Sequence, residues 1–170
     1  VKRLVATVDL NKPISKAALF IAAGDAMAGV GNYSKAISYF NKAKTIDNRS
    51  VNLSLARAYY EMRDLNNALL YANRSIKDNP SLLEAHVIKG KTFLNTDKTD
   101  SALYYADYVT GNIPCHGEAL LLKSQVMLLK EQYHNAVSDA QKAIDCGETG
   151  NEALLQTALA YIYSGMNEKA

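Results

Sequence analysis

Small and bulky apolar residues recur along this chain in a register that repeats about every 34 residues. The register is anchored on five alanines spaced by 32, 34, 34 and 34 residues: Ala36, Ala68, Ala102, Ala136 and Ala170. Twelve residues before each anchor lies a small residue: Gly24, Ala56, Gly90, Ser124 and Ala158. Three residues beyond it lies a bulky one: Met27, Tyr59, Phe93, Met127 and Tyr161. Antiparallel helices approach closely where both present small side chains, so the pattern predicts a series of helical hairpins.

The same register sets the helix boundaries that we expect. Pro80 and Pro114 lie twelve residues after their anchors, where each should end a second helix, because proline cannot donate an amide hydrogen. The pattern predicts seven to nine α-helices and no β-strand. First helices are predicted over 17–30, 49–62, 83–96, 117–130 and 151–164, and second helices over 33–46, 65–78, 99–112 and 133–146.

These positions resemble the tetratricopeptide repeat, whose pattern reads W-x2-L-G-x2-Y, then A-x3-F, then P. The second repeat reads Leu55-Ala56-x-x-Tyr59, then Ala68 and Pro80, and the third reads Gly90-x-x-Phe93, then Ala102 and Pro114. None of the repeats has the tryptophan. The resemblance implies an all-α fold, a right-handed α-solenoid of stacked antiparallel helical hairpins.

The repeat array is predicted to occupy residues 17–170. Its units would be 17–48, 49–82, 83–116, 117–150 and a partial fifth unit over 151–170. Residues 1–16, with Val1, Val5 and Val8 on one helical face, would end a preceding helical unit or form an N-terminal cap. Both ends therefore cut through hairpins, which predicts that the chain is part of a longer array.

In tetratricopeptide proteins the first helices line a concave groove, so the resemblance implies where a partner would bind. Three slots of each first helix should face it, since offsets of three and four residues share one helix face. The early slot is mainly apolar and holds Ile21, Leu53, Val87, Leu121 and Leu155. The next slot is mainly polar and holds Asp25, Arg57, Lys91, Gln125 and Leu159. The late slot is apolar and includes Tyr60, Leu94, Leu128 and Ile162. Packing between neighbouring repeats would explain the same apolar residues, and both interpretations stay open.

These features indicate a protein–protein interaction scaffold, with a partner peptide or helix in the groove and a role in assembling a larger complex. Self-association, or the rest of a longer array, would also cover the apolar slots. The alternative is the repeat module of an enzyme or transferase whose catalytic domain lies outside this chain. No catalytic residues, metal ligands or cofactors are predicted, because acidic residues are scattered singly and there is no glycine-rich phosphate loop.

Charge and cysteine content narrow the classes of partner and compartment. Nineteen Lys and Arg face 17 Asp and Glu, a formal charge of +2, which argues against nucleic acid as a partner. We also expect no direct membrane insertion, since no apolar run is long enough. Cys115 and Cys146 are predicted to be reduced and unbridged, and Cys115-His116 is interpreted as a turn, not a metal site. The prediction is a cytoplasmic protein, unless an upstream targeting segment has been removed.

Overall fold

The computed structural model describes residues 13–47 and 51–165, with side chains from residue 16 onward. All the regular secondary structure in these ranges is α-helical, as the sequence predicts, and the helix ends lie within four residues of the expected ones. Helix α1 begins earliest relative to expectation, at Pro13, because proline is well suited to the first helical turn. The helices are α1 (Pro13–Gly29), α2 (Tyr33–Lys44), α3 (Asn52–Glu61), α4 (Leu65–Asp78), α5 (Leu83–Leu94), α6 (Thr99–Asn112), α7 (Gly117–Leu129), α8 (Tyr133–Asp145) and α9 (Asn151–Tyr163).

Two or three residues after the end of each first helix lies a residue with left-handed backbone geometry. These residues, with φ values of 75°, 62°, 57°, 59° and 79°, are Gly31, Arg63, Asp97, Glu131 and Gly165. In the first hairpin the Gly31 amide donates to the Ala28 carbonyl over 2.9 Å. The next amide, of Asn32, donates to the Met27 carbonyl over 2.8 Å. The same pair of bonds recurs after α3, α5 and α7, and it turns the chain back so that the second helix can pack on the first.

The predicted helix crossings are confirmed, because the four anchor alanines within the described ranges are fully buried: Ala36, Ala68, Ala102 and Ala136. A Cβ atom added to Gly24 would lie 2.6 Å from Cδ1 of Phe40, so this glycine allows α1 to approach α2. In the fourth hairpin the buried Ser124 hydroxyl donates to the carbonyl oxygen of Ala136 over 2.9 Å. The small residues therefore set the distance between the paired helices.

The helices form two compact units, Val1–Asp78 and Asn79–Ala170. In the first unit, α1 packs against α2, α2 against α3, and α3 against α4. In the second unit, each helix from α5 to α9 packs against the next, and α7 also contacts both α5 and α9. The first helices of the second unit therefore lie side by side, which is the arrangement that a shared binding surface requires.

The cysteines are joined in a disulfide, so the prediction that they are reduced and unbridged is wrong. Cys115 lies two residues before α7, and Cys146 directly follows α8. The prediction placed them in consecutive repeats, but they bracket a single hairpin. Because its helices are antiparallel, the start of α7 lies beside the end of α8, and the two Cα atoms are 5.4 Å apart. This distance is within the ordinary range for a disulfide.

Candidate partner-binding groove

The first helices of the second unit carry the predicted slots on adjacent surfaces. Two early-slot side chains are buried, with Val87 0% and Leu121 5% exposed. Val87 packs with Val109 and Ala119, and Leu121 packs with Leu120 and Ala143. We therefore correct the groove assignment for Val87 and Leu121: they stabilise the repeat stack, because helices of neighbouring hairpins cover them.

In the second unit, the side chains of the two apolar slots are most exposed on the last helix, α9. Leu94, Leu128 and Leu159 are half-buried, whereas Leu155 and Ile162 on α9 are 58% and 53% exposed. Leu129 and Tyr163, each one position after the late slot, are also more than half exposed. Leu155 and Ile162 are seven residues apart and therefore share one face of α9, and an exposed apolar face of this kind is uncommon on a monomeric protein unless something covers it.

The polar slot of the second unit is paired with acidic residues on the next first helix. Lys91 Nζ lies 3.7 Å from a carboxylate oxygen of Glu118, and the Gln125 amide donates to Glu152 over 3.4 Å. Both partners lie 27 residues further along the chain. Exposed contacts of this kind contribute little to stability. Glu118 balances the Lys91 charge, whereas the neutral Gln125 amide leaves the Glu152 charge in place. The apolar slots are then the features that remain to recognise a partner.

In the first unit, the predicted slots surround an open cleft of about 550 Å³ between α1 and α3. Asp25 and Arg57 are exposed on opposite walls, and Leu53 is half-buried beside them. Ile21 and Tyr60 are also half-buried, but they do not line the cleft. Asp25, Leu53 and Arg57 thus line the same cleft.

A charged cluster that sequence reasoning missed lies where α6, α7 and α8 meet. The Lys123 ammonium is 2.9 Å from a carboxylate oxygen of Asp107, and Asp139 lines the same cavity of about 320 Å³. Burial raises the pKa of the Asp139 carboxyl above its ordinary value, and the Lys123 charge offsets this only in part. Burial lowers the pKa of Lys123, but the hydrogen bond to Asp107 and the charges of Asp139 and Asp107 outweigh it, so that pKa is raised. The residues are 16 apart on the chain, so only the fold brings them together.

Replacing Asp139 with asparagine should stabilise the protein at pH 7. Because the folded-state pKa of Asp139 is raised, its contribution to stability is present at low pH and is lost as pH rises through that pKa. Asparagine, like the protonated carboxyl, carries no charge. The gain in the free energy of unfolding should be at most about 1 kcal/mol, because this group is half-exposed, and it should vanish below about pH 3.5, where the carboxyl itself is protonated. Thermal midpoints measured across this pH range test it. The control, Asp107→Asn, breaks the 2.9 Å ion pair with Lys123 and should lower the thermal midpoint at pH 7. A lower midpoint at pH 7 for Asp139→Asn as well would contradict our account.

His86 has structural partners. His86 is buried, its Nε2 lies 2.9 Å from the Pro80 carbonyl oxygen, and its ring packs 4.5 Å from the Tyr108 ring. His116 is the residue that precedes α7, next to the disulfide. Residues 13–47 and 51–165 contain no group of three or more His, Cys, Asp or Glu that could hold a metal ion. Across those same ranges, no helix is both long enough and apolar enough to span a lipid bilayer.

Comparison with known proteins agrees with the fold. A family model described as "Tetratricopeptide repeat" matches residues 17–49. The tetratricopeptide repeat and J domain-containing co-chaperone DNJ1 of Mycosarcoma maydis is 31% identical over 91 residues, which cover 52% of this chain and 16% of that protein. The chain therefore spans about a sixth of that relative's length.

Solved structures of repeat proteins superpose on most of the chain. TTC0263, a thermophilic tetratricopeptide protein of Thermus thermophilus, has a TM-score of 0.79 at 17% identity and covers 88% of this chain and 83% of its own. MamA from Desulfovibrio magneticus RS-1 has a TM-score of 0.70 at 17% identity, covering 91% and 88%. These likenesses show the all-α helical solenoid fold. Together with the repeat register and the hairpins, the family match over residues 17–49, the co-chaperone relative and these structures support a tetratricopeptide-type repeat protein.

Proposed function

We propose that this chain is a protein-interaction scaffold that holds an apolar peptide or amphipathic helix against α7 and α9. The observation that carries the proposal is the group of exposed apolar side chains on α9, Leu155, Ile162 and Tyr163, together with Leu129 on α7. Each large apolar side chain that a partner buries contributes about 1.5–3 kcal/mol. In the polar slot beside them the Lys91 ammonium is paired with Glu118, and Gln125 and Leu159 carry no charge, which favours an apolar partner over a charged one.

The role in assembling a larger complex is supported by the relative that is named as a co-chaperone. A scaffold with an open apolar surface suits such work, because it can cover apolar segments that a partner exposes before assembly. A second copy of this chain is the other way to cover the surface, and the experiment below distinguishes the two. Nucleic acid remains outside the proposal, since the groove slots of the second unit carry one Lys, which is paired with Glu118.

The compartment that we propose is an oxidising one. The cysteine count suggested the cytoplasm, but the Cys115–Cys146 disulfide favours a compartment in which such bonds persist, because reducing systems keep cytosolic thiols free. Alkylation of thiols in unreduced native extract, followed by mass measurement, should find both cysteines protected. Quantitative labelling of both cysteines would show that the thiols are free and would indicate a reducing compartment instead.

Charge substitutions on α9 should abolish partner binding. The test variant is Leu155→Glu with Ile162→Lys, since both side chains are exposed and can accept charge without unfolding the chain. Leu121 is left intact because it is buried, and a charge there would destabilise the hairpin. Partner affinity should fall at least about tenfold, given what each apolar side chain contributes. Circular dichroism first confirms that the helices persist, and capture from native extract and light scattering then report partner binding and self-association.

The matched control places the same two charges on an exposed face of α4. Leu70→Glu with Asn73→Lys uses side chains that are exposed, and Leu70 is 43% exposed. This variant should retain every partner that the wild type captures. If the α9 variant keeps its partners and the α4 variant loses them, the second helices carry the functional face and the proposal fails.

A further inference from the structure

The cleft between α1 and α3 exists because the late groove slot is small in the first repeat. In the other four repeats this slot holds Tyr60, Leu94, Leu128 or Ile162, whereas α1 has Ala28, followed by Gly29. Both small residues line the cleft, and no large side chain of α1 fills it. The result is an open volume of about 550 Å³ that the regular repeat would occupy with its own side chain.

The floor of the cleft is apolar. Phe40 and Ala58 line it and are 0% and 2% exposed, and Leu53 contributes a half-buried aliphatic surface. A bulky aliphatic or aromatic side chain entering from solvent would therefore meet the half-buried carbons of Leu53 and Ala28, because Phe40 and Ala58 are themselves covered by their neighbours. Burial of such a group is favourable in proportion to the apolar area removed from water.

Charges at the rim of the cleft lack partners among the residues that the structure describes. Asp25 lies on α1, and Arg57 and Glu61 lie one helical turn apart on α3; all three are exposed and line the cleft. Among the described residues, none of these three side chains has an ion pair or a hydrogen bond. The polar slot of the second unit differs, since Lys91 and Gln125 there are paired. The rim of the cleft therefore carries two carboxylates and one guanidinium, with one carboxylate on each wall.

We propose that this cleft is a second partner-binding site, which takes a bulky apolar side chain next to a Lys or Arg of the partner. The apolar side chain occupies the space above Phe40, and the cation lies between the carboxylates of Asp25 and Glu61. The inference rests on the proposed role as a protein-interaction scaffold, but it concerns different residues and a different partner chemistry from the α9 surface.

Short defined peptides test the proposal by nuclear magnetic resonance on the isotope-labelled chain. The probe is the capped peptide Ser-Gly-Ser-Leu-Lys-Ser-Gly-Ser, and two analogues replace its Lys with Glu or its Leu with Gly. The Lys peptide should shift the amide signals of Gly29, Arg57 and Glu61 and bind about two- to fivefold more tightly than the Glu peptide, as expected for exposed charge pairs. The preference should weaken at high salt, and the Gly analogue should lose most of its binding.

Two variants separate the apolar and charged parts of the site. Ala28→Leu restores the large side chain of the other repeats and should block all three peptides while the helices persist. Asp25→Asn with Glu61→Gln should retain the Leu requirement but lose the preference for Lys over Glu. Equal or tighter binding of the Glu peptide to the wild type would overturn the proposal, as would unchanged Lys-peptide binding by Ala28→Leu.

The α9 variant distinguishes this proposal from the first one. Leu155→Glu with Ile162→Lys should bind the Lys peptide as the wild type does, because neither residue lines the cleft. If that variant loses the peptide as well, the peptide binds at α9 and the cleft proposal fails while the proposed function stands. If native partners are retained by the α9 variant but lost by Ala28→Leu, the cleft is the main site and the α9 proposal fails.

Discussion

Replacing Cys146 with serine should lower the free energy of unfolding by about 2–4 kcal/mol. The disulfide joins residues 31 apart and closes the hairpin of α7 and α8 at its open end. Without it, the unfolded chain regains the conformations that the closed loop forbids, while the native helices keep their contacts. The thermal midpoint should fall by several degrees, at about 2–4 °C per kcal/mol for a chain of this size.

Reductant provides the matched control for this prediction. The variant with both Cys115→Ser and Cys146→Ser should melt at the midpoint of wild type in reductant and should not respond to reductant itself. The single variants should lie close to the double variant, since either change removes the same bond. A wild-type midpoint that reductant leaves unchanged would show that the bond is absent or contributes nothing.

The disulfide shows what the linear repeat register could not reveal. Sequence reasoning compared the two cysteines by their slots in consecutive repeats, and the slots differ by three positions. The relevant relation is within one hairpin, where antiparallel helices bring the first residues of α7 beside the last residues of α8. If positions had been counted from the start of the α7–α8 hairpin, instead of from the anchor alanines, both cysteines would have been expected at the same end of that hairpin.

The helices and their crossings could be predicted because they depend on local and periodic features. Ala36 and Gly24 recur in register with their equivalents, and the structure buries both at a helix crossing. The hairpin turns were less predictable in detail. Arg63, Asp97 and Glu131 adopt left-handed geometry that favours glycine, and the hydrogen bonds of the surrounding turn hold them there.

The groove could be predicted only in outline, since slot numbering gives the face of a helix but not what covers it. Leu121 and Leu155 occupy the same slot, yet one is 5% and the other 58% exposed. Residues of α8 and α9 cover Leu121, whereas no such cover lies over Leu155 among the described residues. The same limit explains the Lys123 cluster, whose members come from three helices and share no sequence motif.

Enlarging Ala102 to leucine should destabilise the protein by about 1–3 kcal/mol. Ala102 is fully buried in a cluster with Ala106, Leu122 and Val126, between α5 and α7. Its carbonyl oxygen lies 3.4 Å from the position that a Cβ on Gly90 would take, so α5 and α6 are already in close contact. The additional carbon atoms of leucine must therefore displace a helix or force neighbouring side chains from their preferred rotamers.

Two further variants distinguish overpacking from a general effect of leucine in a helix. Ala26→Leu makes the same change at an exposed position of α1 and should alter stability by less than about 0.5 kcal/mol. Combining Ala102→Leu with Leu122→Ala conserves the volume of the cluster, so the double variant should be more stable than the sum of the two single effects predicts. Urea unfolding of the wild type, the three single variants and the double variant provides the free energies. Two results would contradict this account: an Ala102→Leu variant that unfolds at the wild-type midpoint, or free-energy changes of the two cluster substitutions that are additive. Either result would mean that the space between α5, α6 and α7 is looser than the buried alanine indicates, and that the close crossing does not set the helix spacing.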